Sequence, residues 1–189
     1  MEQIIVNKGA KVDNSKNHVL QEVTCGEFFD KFIRYIRRSE SNPKGLSTEA
    51  IATFREETCD VLAHCNPHDA VDKNETTHLA VGYVQSGKTM SFTGVTALAK
   101  DNGYRVIIYL AGTKNNLLDQ TSKRLRKDLI GKNGANNDFY KIHANPTLAD
   151  VDDIIGNLES IEKPIVLIPI LKHYDHILKV RQIVNNSEF

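Results

Sequence analysis

Cysteine is scarce in this chain, whose 189 residues include only Cys25, Cys59 and Cys65. An odd number without regular spacing matches neither a disulfide framework nor a paired-cysteine zinc site. The sequence also lacks an opening secretory signal and any apolar run long enough to span a bilayer. These absences exclude a disulfide scaffold, and they predict a cytoplasmic protein with free thiols and no membrane partner.

Charge of one sign is not in excess either, because Lys+Arg and Asp+Glu both number 24. A chain with a formal net charge of zero has no overall attraction for nucleic acid, so any such contact requires a local patch. The hydrophobic content of 40% and the charged content of 25% are ordinary for a soluble globular protein. The length is sufficient for one α/β domain with a helical extension.

What the chain does contain is a phosphate-binding motif. Residues 82–89 read GYVQSGKT, a complete G-x-x-x-x-G-K-[ST] loop. Gly82 and Gly87 let the backbone turn its N–H groups toward phosphate oxygens. Lys88 is placed to reach the β- and γ-phosphates, and the Thr89 hydroxyl is placed to ligate Mg²⁺. The motif therefore predicts a nucleotide site.

Strand and helix patterns surround this loop. An apolar run predicts a strand at 78–83, where the loop starts, and an amphipathic pattern predicts a helix at 89–100 after the loop. Further along the chain, predicted strands cover 104–110, 139–143 and 165–170, and predicted helices cover 115–129, 147–159 and 172–185. This alternation predicts a parallel sheet joined by helical crossovers. Pro169 predicts an edge or strand-end position for the last strand.

The segment before the loop is predicted to be helical. Thr24 and Glu27 form a capping-box pattern that opens a helix ending near Ser39, and a second helix follows from Ser47. The apolar residues of the first helix form one stripe: Phe28, Phe29, Phe32, Ile33 and Ile36. Such a stripe is typical of core packing rather than of a platform for base stacking.

An acidic residue at the end of a second strand is missing from the sequence. A phosphate-loop hydrolase needs this residue to hold Mg²⁺ and to orient the attacking water. The run at 106–110 is followed by Ala-Gly-Thr, and the run at 165–170 is followed by Leu-Lys-His. Asp150, Asp152 and Asp153 fall in a predicted helix. We therefore expect either a fragment that stops before the acidic strand or a module that only binds nucleotide.

Three blocks of sequence together resemble the Z-one-domain family. Members of this family are helicase-like ATPases, described as endonucleases, with a core similar to that of superfamily-two helicases. The blocks are LAVGYVQSGKT at 79–89, DNGYRVIIYLAG at 101–112, and NLLDQT at 116–121 followed by Arg124 and Leu125. The resemblance is close within 79–130 and looser in the preceding helical segment and in KPIVLIPILKHY.

The resemblance implies a RecA-like phosphate-loop core, an α/β fold with a parallel sheet flanked by helices. It places an N-terminal arm and helical extension at 1–70 and the nucleotide-binding domain at 71–189. It implies ATP and Mg²⁺ as cofactors. Motif one of the family corresponds here to the ATP-binding residues Gly82, Gln85, Ser86, Gly87, Lys88 and Thr89, with Thr89 ligating Mg²⁺ through its hydroxyl.

The same resemblance implies that hydrolysis is completed elsewhere. In the family, the acidic Walker B strand follows soon after the segment that corresponds to 165–185. The domain at 71–189 is therefore expected to be truncated before that strand, with no catalytic residue inside this chain. The acidic motif, an arginine finger and any nuclease are expected in the C-terminal lobes of the parent protein.

Polar residues after the strand at 104–110 are candidates for contact with nucleic acid. They are Thr113, Lys114, Asn115, Asn116, Gln120 and Arg124, in a stretch that resembles motif one-a, which contacts the nucleic-acid backbone in such ATPases. Open α/β sheets bind ligands at this edge, where these side chains would donate hydrogen bonds to phosphates. The structural alternatives are helix capping by Asn115 or Asn116 and a solvated basic face at 123–127.

The expected function is that of the ATP-binding N-terminal lobe of a DNA helicase-like ATPase. Its partners would be ATP, the remaining lobes of the parent protein and, through the full-length protein, DNA. One alternative is a small-molecule or nucleotide kinase with the same loop, although the sequence has no Arg-rich lid. Another is a non-catalytic interaction module. His64, Cys65 and His68 do not complete a zinc-binding pattern.

Overall fold

The computed structural model describes residues 20–40, 42–70, 77–80, 88–131 and 134–186, with only the backbone described for Lys88, Thr89 and Asn186. The chain divides into two compact units, Met1–Gly103 and Tyr104–Phe189. The predicted domain boundary between 70 and 71 is not tested and remains a prediction.

Three α-helices make up the described part of the first unit: α1 at Glu27–Ile36, α2 at Thr48–Ala63 and α3 at Lys88–Asp101. Both α1 and α2 pack against α3. The predicted start of α2 is confirmed, because Ser47 is its N-cap and its side chain accepts a hydrogen bond from the Ala50 N–H.

The predicted capping box at the start of α1 is wrong. The N-cap residue is Gly26, which makes no side-chain cap. The carboxylate of Asp101, at the end of α3, takes that role: its two oxygens accept hydrogen bonds from the N–H groups of Gly26 (3.1 Å), Phe28 (3.1 Å) and Phe29 (2.8 Å). A carboxylate at a helix N-terminus satisfies unpaired donors and opposes the positive end of the helix dipole. Helix α1 is thus capped by a residue more than 70 positions away.

Hydrogen bonds to the ends of α2 and α3 hold the segment before α1. The Thr24 N–H donates to Asn102 Oδ1 (2.8 Å), and Asn102 Nδ2 donates to the Thr24 carbonyl (2.8 Å). Near the start of the same segment, Gln21 Nε2 donates to the Leu62 and Cys65 carbonyls at the end of α2. The segment 20–26 therefore links the C-terminal ends of α2 and α3.

The core of this unit is aromatic and aliphatic. Its buried residues include Phe29, Phe32, Ile33, Ile36, Ile51, Phe54, Leu62, Ala97 and Leu98. Gly94 on α3 allows the helices to approach closely, because a Cβ added there would lie 2.5 Å from Phe54 Cζ and 3.3 Å from Phe32 Cε1. The aromatic stripe predicted on α1 is confirmed as core packing at Phe29 and Phe32.

The second unit alternates strands and helices. Its elements are β1 at Val106–Leu110, α4 at Asn115–Leu125, a π-helix at Arg126–Ile130, β2 at Tyr140–Ile142, a 3₁₀ turn at Leu148–Asp150, α5 at Val151–Glu159, β3 at Ile165–Ile170 and α6 at Tyr174–Asn186. Two local features of the sequence mark helix ends in this unit. Gly131 ends the helical segment with a φ of 82°, and Thr147 with Asp150 forms a capping box before α5.

The described strands form one parallel sheet in the order β1-β3-β2. The prediction of an α/β fold with a parallel sheet is confirmed, whereas a RecA-like core remains a prediction. Of the two positions predicted for Pro169, the edge is excluded because β3 is the central strand, and the strand end fits because β3 ends one residue later at Ile170. The backbone N–H and C=O groups of the odd-numbered residues of β3 face β2. For example, the Ile165 N–H donates a hydrogen bond to the Phe139 carbonyl (3.0 Å). Proline is tolerated because β2 ends at Ile142, before the position opposite Pro169.

Helices cover the two faces of β3. Val166, Ile168 and Ile170 form one buried cluster with Ile154 of α5 and with Val180 and Ile183 of α6. Helix α4 also contacts β3, and Leu118 and Leu125 are its buried residues. All six residues of β3 are buried, as expected for the central strand of a sheet covered on both sides.

The strand predicted at 78–83 is not found in its described part. Residues 78–80 have no regular secondary structure and are exposed, with Leu79 at 88% of its full accessibility. Positions 81–83 lie outside the described residues. None of the helices in the described ranges has the length and apolarity needed to cross a bilayer.

Replacing the Asp101 cap should destabilise the helical unit. We expect Asp101→Ala to lower the free energy of unfolding by about 1–2 kcal/mol, because the N–H groups of Gly26, Phe28 and Phe29 lose their acceptor. Asp101→Asn should cost less, since it keeps one acceptor oxygen. Urea denaturation followed by circular dichroism measures both. Asp69→Ala, at an exposed turn of the same unit, is the control, and an equal loss in all three variants would contradict this role.

Replacing two helical glycines by alanine should change the free energy of unfolding in opposite directions. Gly94→Ala should destabilise the protein by about 1–3 kcal/mol, because the new methyl group overlaps the Phe54 ring. Gly156→Ala in α5 meets nothing within 4 Å and should stabilise by about 0.5–1 kcal/mol through helix propensity alone. The same denaturation experiment compares them, and a neutral Gly94→Ala variant would show that the interhelical contact at Gly94 is loose.

Candidate nucleotide and nucleic-acid site

The phosphate loop lies largely outside the described residues. This applies to Gly82, Gln85, Ser86 and Gly87. Lys88 and Thr89 are the first two described residues of α3, so the lysine and the threonine of the motif lie in a helix. A phosphate loop requires such a helix directly after the glycine-rich turn.

Two helices of the described chain differ from the others in the charge of their first turn. Helices α3 and α4 carry no acidic residue there. The other four α-helices each carry at least one, namely Glu27 and Asp30, Glu49, Asp152 and Asp153, and Asp175. An acidic side chain opposes the positive end of its own helix dipole and repels an incoming phosphate. The helix N-termini at which phosphate binding is predicted are therefore the two without this repulsion.

The residues predicted to contact nucleic acid lie after β1 and along α4. Thr113, Lys114, Asn115, Asn116, Gln120 and Arg124 are all exposed. The suggestion that an asparagine caps α4 is wrong, because the helix begins at Asn115 and its N-cap is Lys114, without a side-chain cap. The exposed side chains of Asn115 and Asn116 therefore belong to the first turn of α4 and do not cap it.

The loops that follow the three strands are joined to one another at the same edge of the sheet. The Lys172 N–H, after β3, donates to the Gly112 carbonyl after β1 (2.6 Å). The Leu171 N–H donates to Asn145 Oδ1 in the loop after β2 (2.9 Å). Asn145 takes the left-handed conformation, with a φ of 48°, that asparagine tolerates better than most residues. This edge is thus held by direct hydrogen bonds.

Lys172, Asn145 and His143 at this edge were not predicted as site residues. Their signal in the sequence is their position after a strand, which for β2 is weak because the strand has only three residues. Lys172 is exposed, and its backbone bond to Gly112 brings the loop after β3 next to the loop of Lys114. The edge therefore presents two lysines on adjacent loops.

His143 is half-buried beside acidic and amide groups. Its Nε2 lies 3.4 Å from Asn157 Nδ2 and 3.7 Å from Asp153 Oδ2. Burial lowers the pKa of His143, and the carboxylates of Asp153 and Asp150 act in the opposite direction. The direction of the shift favours the neutral ring, whose Nε2 accepts a hydrogen bond from Asn157. This arrangement serves the packing of α5 on the loop after β2.

The basic face at the end of α4 is only partly available for a ligand. Arg124 Nε lies 4.0 Å from Asp128 Oδ2, an i,i+4 pair that offsets part of the charge of Arg124. A shallow pocket of about 300 Å³ follows, lined by Arg126, Lys127, Ile130, Gly131 and Asn137. It lies at the C-terminal end of the helical segment, away from the loop edge.

Comparison with known proteins adds nothing to this description, because no family model, curated protein or solved structure matches the chain. Among the described residues, no group of three His, Cys, Asp or Glu side chains is arranged to hold a metal ion. The geometry and charge of the two helix N-termini therefore carry the argument about function.

Proposed function

We propose that this chain binds Mg-ATP through residues 82–89 and is the nucleotide-binding lobe of a helicase-like ATPase. The observation that supports the proposal is that Lys88 and Thr89 lie in the helix α3, whose first turn has no acidic residue. The N–H groups and dipole at such a terminus favour bound phosphate. The family resemblance of the surrounding sequence is consistent with ATP as the nucleotide.

The residues of the loop have separate tasks in this proposal. Gly82 and Gly87 permit the turn, Lys88 binds the β- and γ-phosphates, and the Thr89 hydroxyl ligates Mg²⁺. Bound Mg²⁺ would neutralise phosphate charge. The chain's own contribution is to bind and orient the triphosphate.

Hydrolysis would need a residue that the described strands do not supply. β1, β2 and β3 are followed by Ala111, His143 and Leu171, and none of these is acidic. Without a carboxylate near the metal, Mg²⁺ is held less tightly and the attacking water is not oriented. We infer binding without turnover by this chain, and hydrolysis in the parent protein through residues outside it.

The sheet edge is proposed to contact the backbone of a nucleic-acid strand, with DNA as the favoured polymer. Lys114 and Lys172 place two cations on adjacent loops, and the first turn of α4 adds polar groups without an opposing carboxylate. Such contacts bind phosphates without reading sequence. Thr113, Asn115, Asn116, Gln120 and Arg124 would extend this surface along α4.

Nucleotide binding is tested by isothermal titration with Mg-ATP and Mg-ADP. We expect weak saturable binding, and Lys88→Ala should weaken it at least about tenfold, because a charge-assisted bond to phosphate is lost. Lys179→Ala, at an exposed position of α6, is the matched control and should bind as the unchanged protein does.

The titration also separates the alternatives. Absence of binding, or binding unaffected by Lys88→Ala, would refute the proposal and favour an interaction module. Steady-state ATP hydrolysis should stay at background. Robust turnover by the 189-residue chain would show that a catalytic acid or base is present after all.

Contact with nucleic acid is tested by fluorescence anisotropy with labelled single-stranded DNA at several salt concentrations. Binding should be weak and should fall with salt, with a log–log slope of roughly −0.7 per phosphate contacted on a single strand. Lys114→Glu and Arg124→Glu should each weaken binding and flatten that slope. Lys179→Glu provides the same charge change on α6.

Equal effects of all three substitutions would indicate only a response to net charge and would remove the sheet edge from the proposal. Repeating the series with RNA of the same sequence distinguishes the two polymers. Tighter binding to RNA would overturn the assignment to DNA.

A further inference from the structure

Two cysteines from different elements lie side by side in the helical unit. Cys25 stands just before α1 and Cys59 lies on α2, with their Sγ atoms 3.5 Å apart. Both thiols are free, with Cys25 exposed and Cys59 half-buried. We propose that Cys25 and Cys59 form a reversible disulfide when the protein meets a hydroperoxide, which makes the helical unit responsive to oxidation.

The approach of the two sulfurs is fixed by the backbone on both sides. The residues that flank Cys25 are both bonded to the end of α3: Thr24 pairs with Asn102, and the Gly26 N–H donates to Asp101. Cys59 lies within the regular helix α2. A disulfide requires the sulfurs to approach to about 2.05 Å, a movement of about 1.5 Å that rotation of the exposed Cys25 side chain can supply.

The reaction balances with a hydroperoxide as the oxidant. The sulfur of Cys25 attacks the peroxide, the O–O bond breaks, and Cys25 becomes a sulfenic acid while one water leaves. Cys59 then loses its proton and its sulfur attacks Cys25, so the S–S bond forms, the S–O bond breaks and a second water leaves. Two thiols are oxidised by two electrons, and hydrogen peroxide is reduced to two molecules of water.

The environments of the two thiols determine which one reacts with the oxidant first. Burial, together with the neighbouring Cys25 thiol, raises the pKa of Cys59 to about 11, so Cys59 is protonated at neutral pH. Exposed Cys25 is therefore the thiol that the oxidant meets first. Cys65 is the third thiol, against which this pair can be compared. Burial raises its pKa, and its Sγ lies 3.5 Å from the Val61 carbonyl one turn earlier.

The consequence of oxidation would be a covalent link between the residue just before the N-cap of α1 and the C-terminal half of α2. It would close a loop spanning 34 positions and restrict the unfolded chain. Because α1 is also bound to the end of α3 through Asp101, the link would stabilise the unit that contains α3. This inference does not depend on nucleotide binding.

The test treats the full chain with equimolar hydrogen peroxide and maps its peptides without reduction. No Lys or Arg separates Cys59 from Cys65, so tryptic mapping uses the Cys65→Ser variant. We expect a Cys25–Cys59 peptide pair whose mass is lower by two hydrogen atoms. The melting temperature should rise by roughly 5 °C or more and return after reduction with dithiothreitol.

The matched control is the Cys25→Ser and Cys65→Ser double variant, which should show neither the peptide pair nor the reversible rise. If the serine variants do not fold, mapping the unchanged chain with a protease that cleaves before Asp60 separates the two sites on α2. Oxidation of Cys25 to sulfinic acid without pairing would overturn the proposal. So would pairing of Cys59 with Cys65, or disulfides formed only between molecules.

Discussion

The carboxylate of Asp101 is the contact on which the organisation of the helical unit depends. It accepts three backbone hydrogen bonds from the start of α1 while belonging to the end of α3. Burial raises the pKa of Asp101, and the N–H groups of Phe29, Phe28 and Gly26 offset part of that cost. Holding a half-buried carboxylate in this way is favourable only while both helices keep their positions. One side chain thus couples the direction of α1 to that of α3.

This coupling bears on the proposed nucleotide site, because α3 takes part in both. Lys88, the lysine of the phosphate motif, is its first described residue, and Asp101 is its last. Between them, Gly94 allows α3 to lie close against Phe54 and Phe32. A phosphate loop must present its N–H groups in a defined direction, and a helix packed along its length provides a rigid support for them. The disulfide proposed between Cys25 and Cys59 would link the start of α1 to α2 in the same unit.

In the second unit, hydrogen bonds between loops hold the sheet edge at which the strands end. The sheet has three strands among the described residues, and its short β2 contributes little pairing. Hydrogen bonds between the loops after the strands compensate for this, through Gly112, Asn145 and Lys172. These bonds join groups that would otherwise be free to move, so polar side chains at the edge have defined neighbours. The absence of acidic residues from the first turn of α4 leaves this edge suited to anions.

Local patterns predicted most element positions, and they were wrong where a distant residue decided the outcome. The Ser47 cap, the Thr147 and Asp150 box and the stop at Gly131 involve neighbours in the chain, so they could be predicted. The cap on α1 could not, because Thr24 gave a plausible local answer and the actual acceptor is on α3. Pro169 left an edge and a strand end open, and the choice between them depends on where β2 and β3 end.

The amino-acid sequence by itself determined the alternation of helices and strands, the phosphate motif and the lack of an acidic residue after the apolar runs. These are properties of neighbouring residues, and hydrophobic periodicity and backbone preference act over short distances. Only the tertiary structure decided that Asp101 caps α1, that β3 is central and that Cys25 meets Cys59. Each of these depends on groups remote in sequence, whose proximity arises from burying apolar faces together.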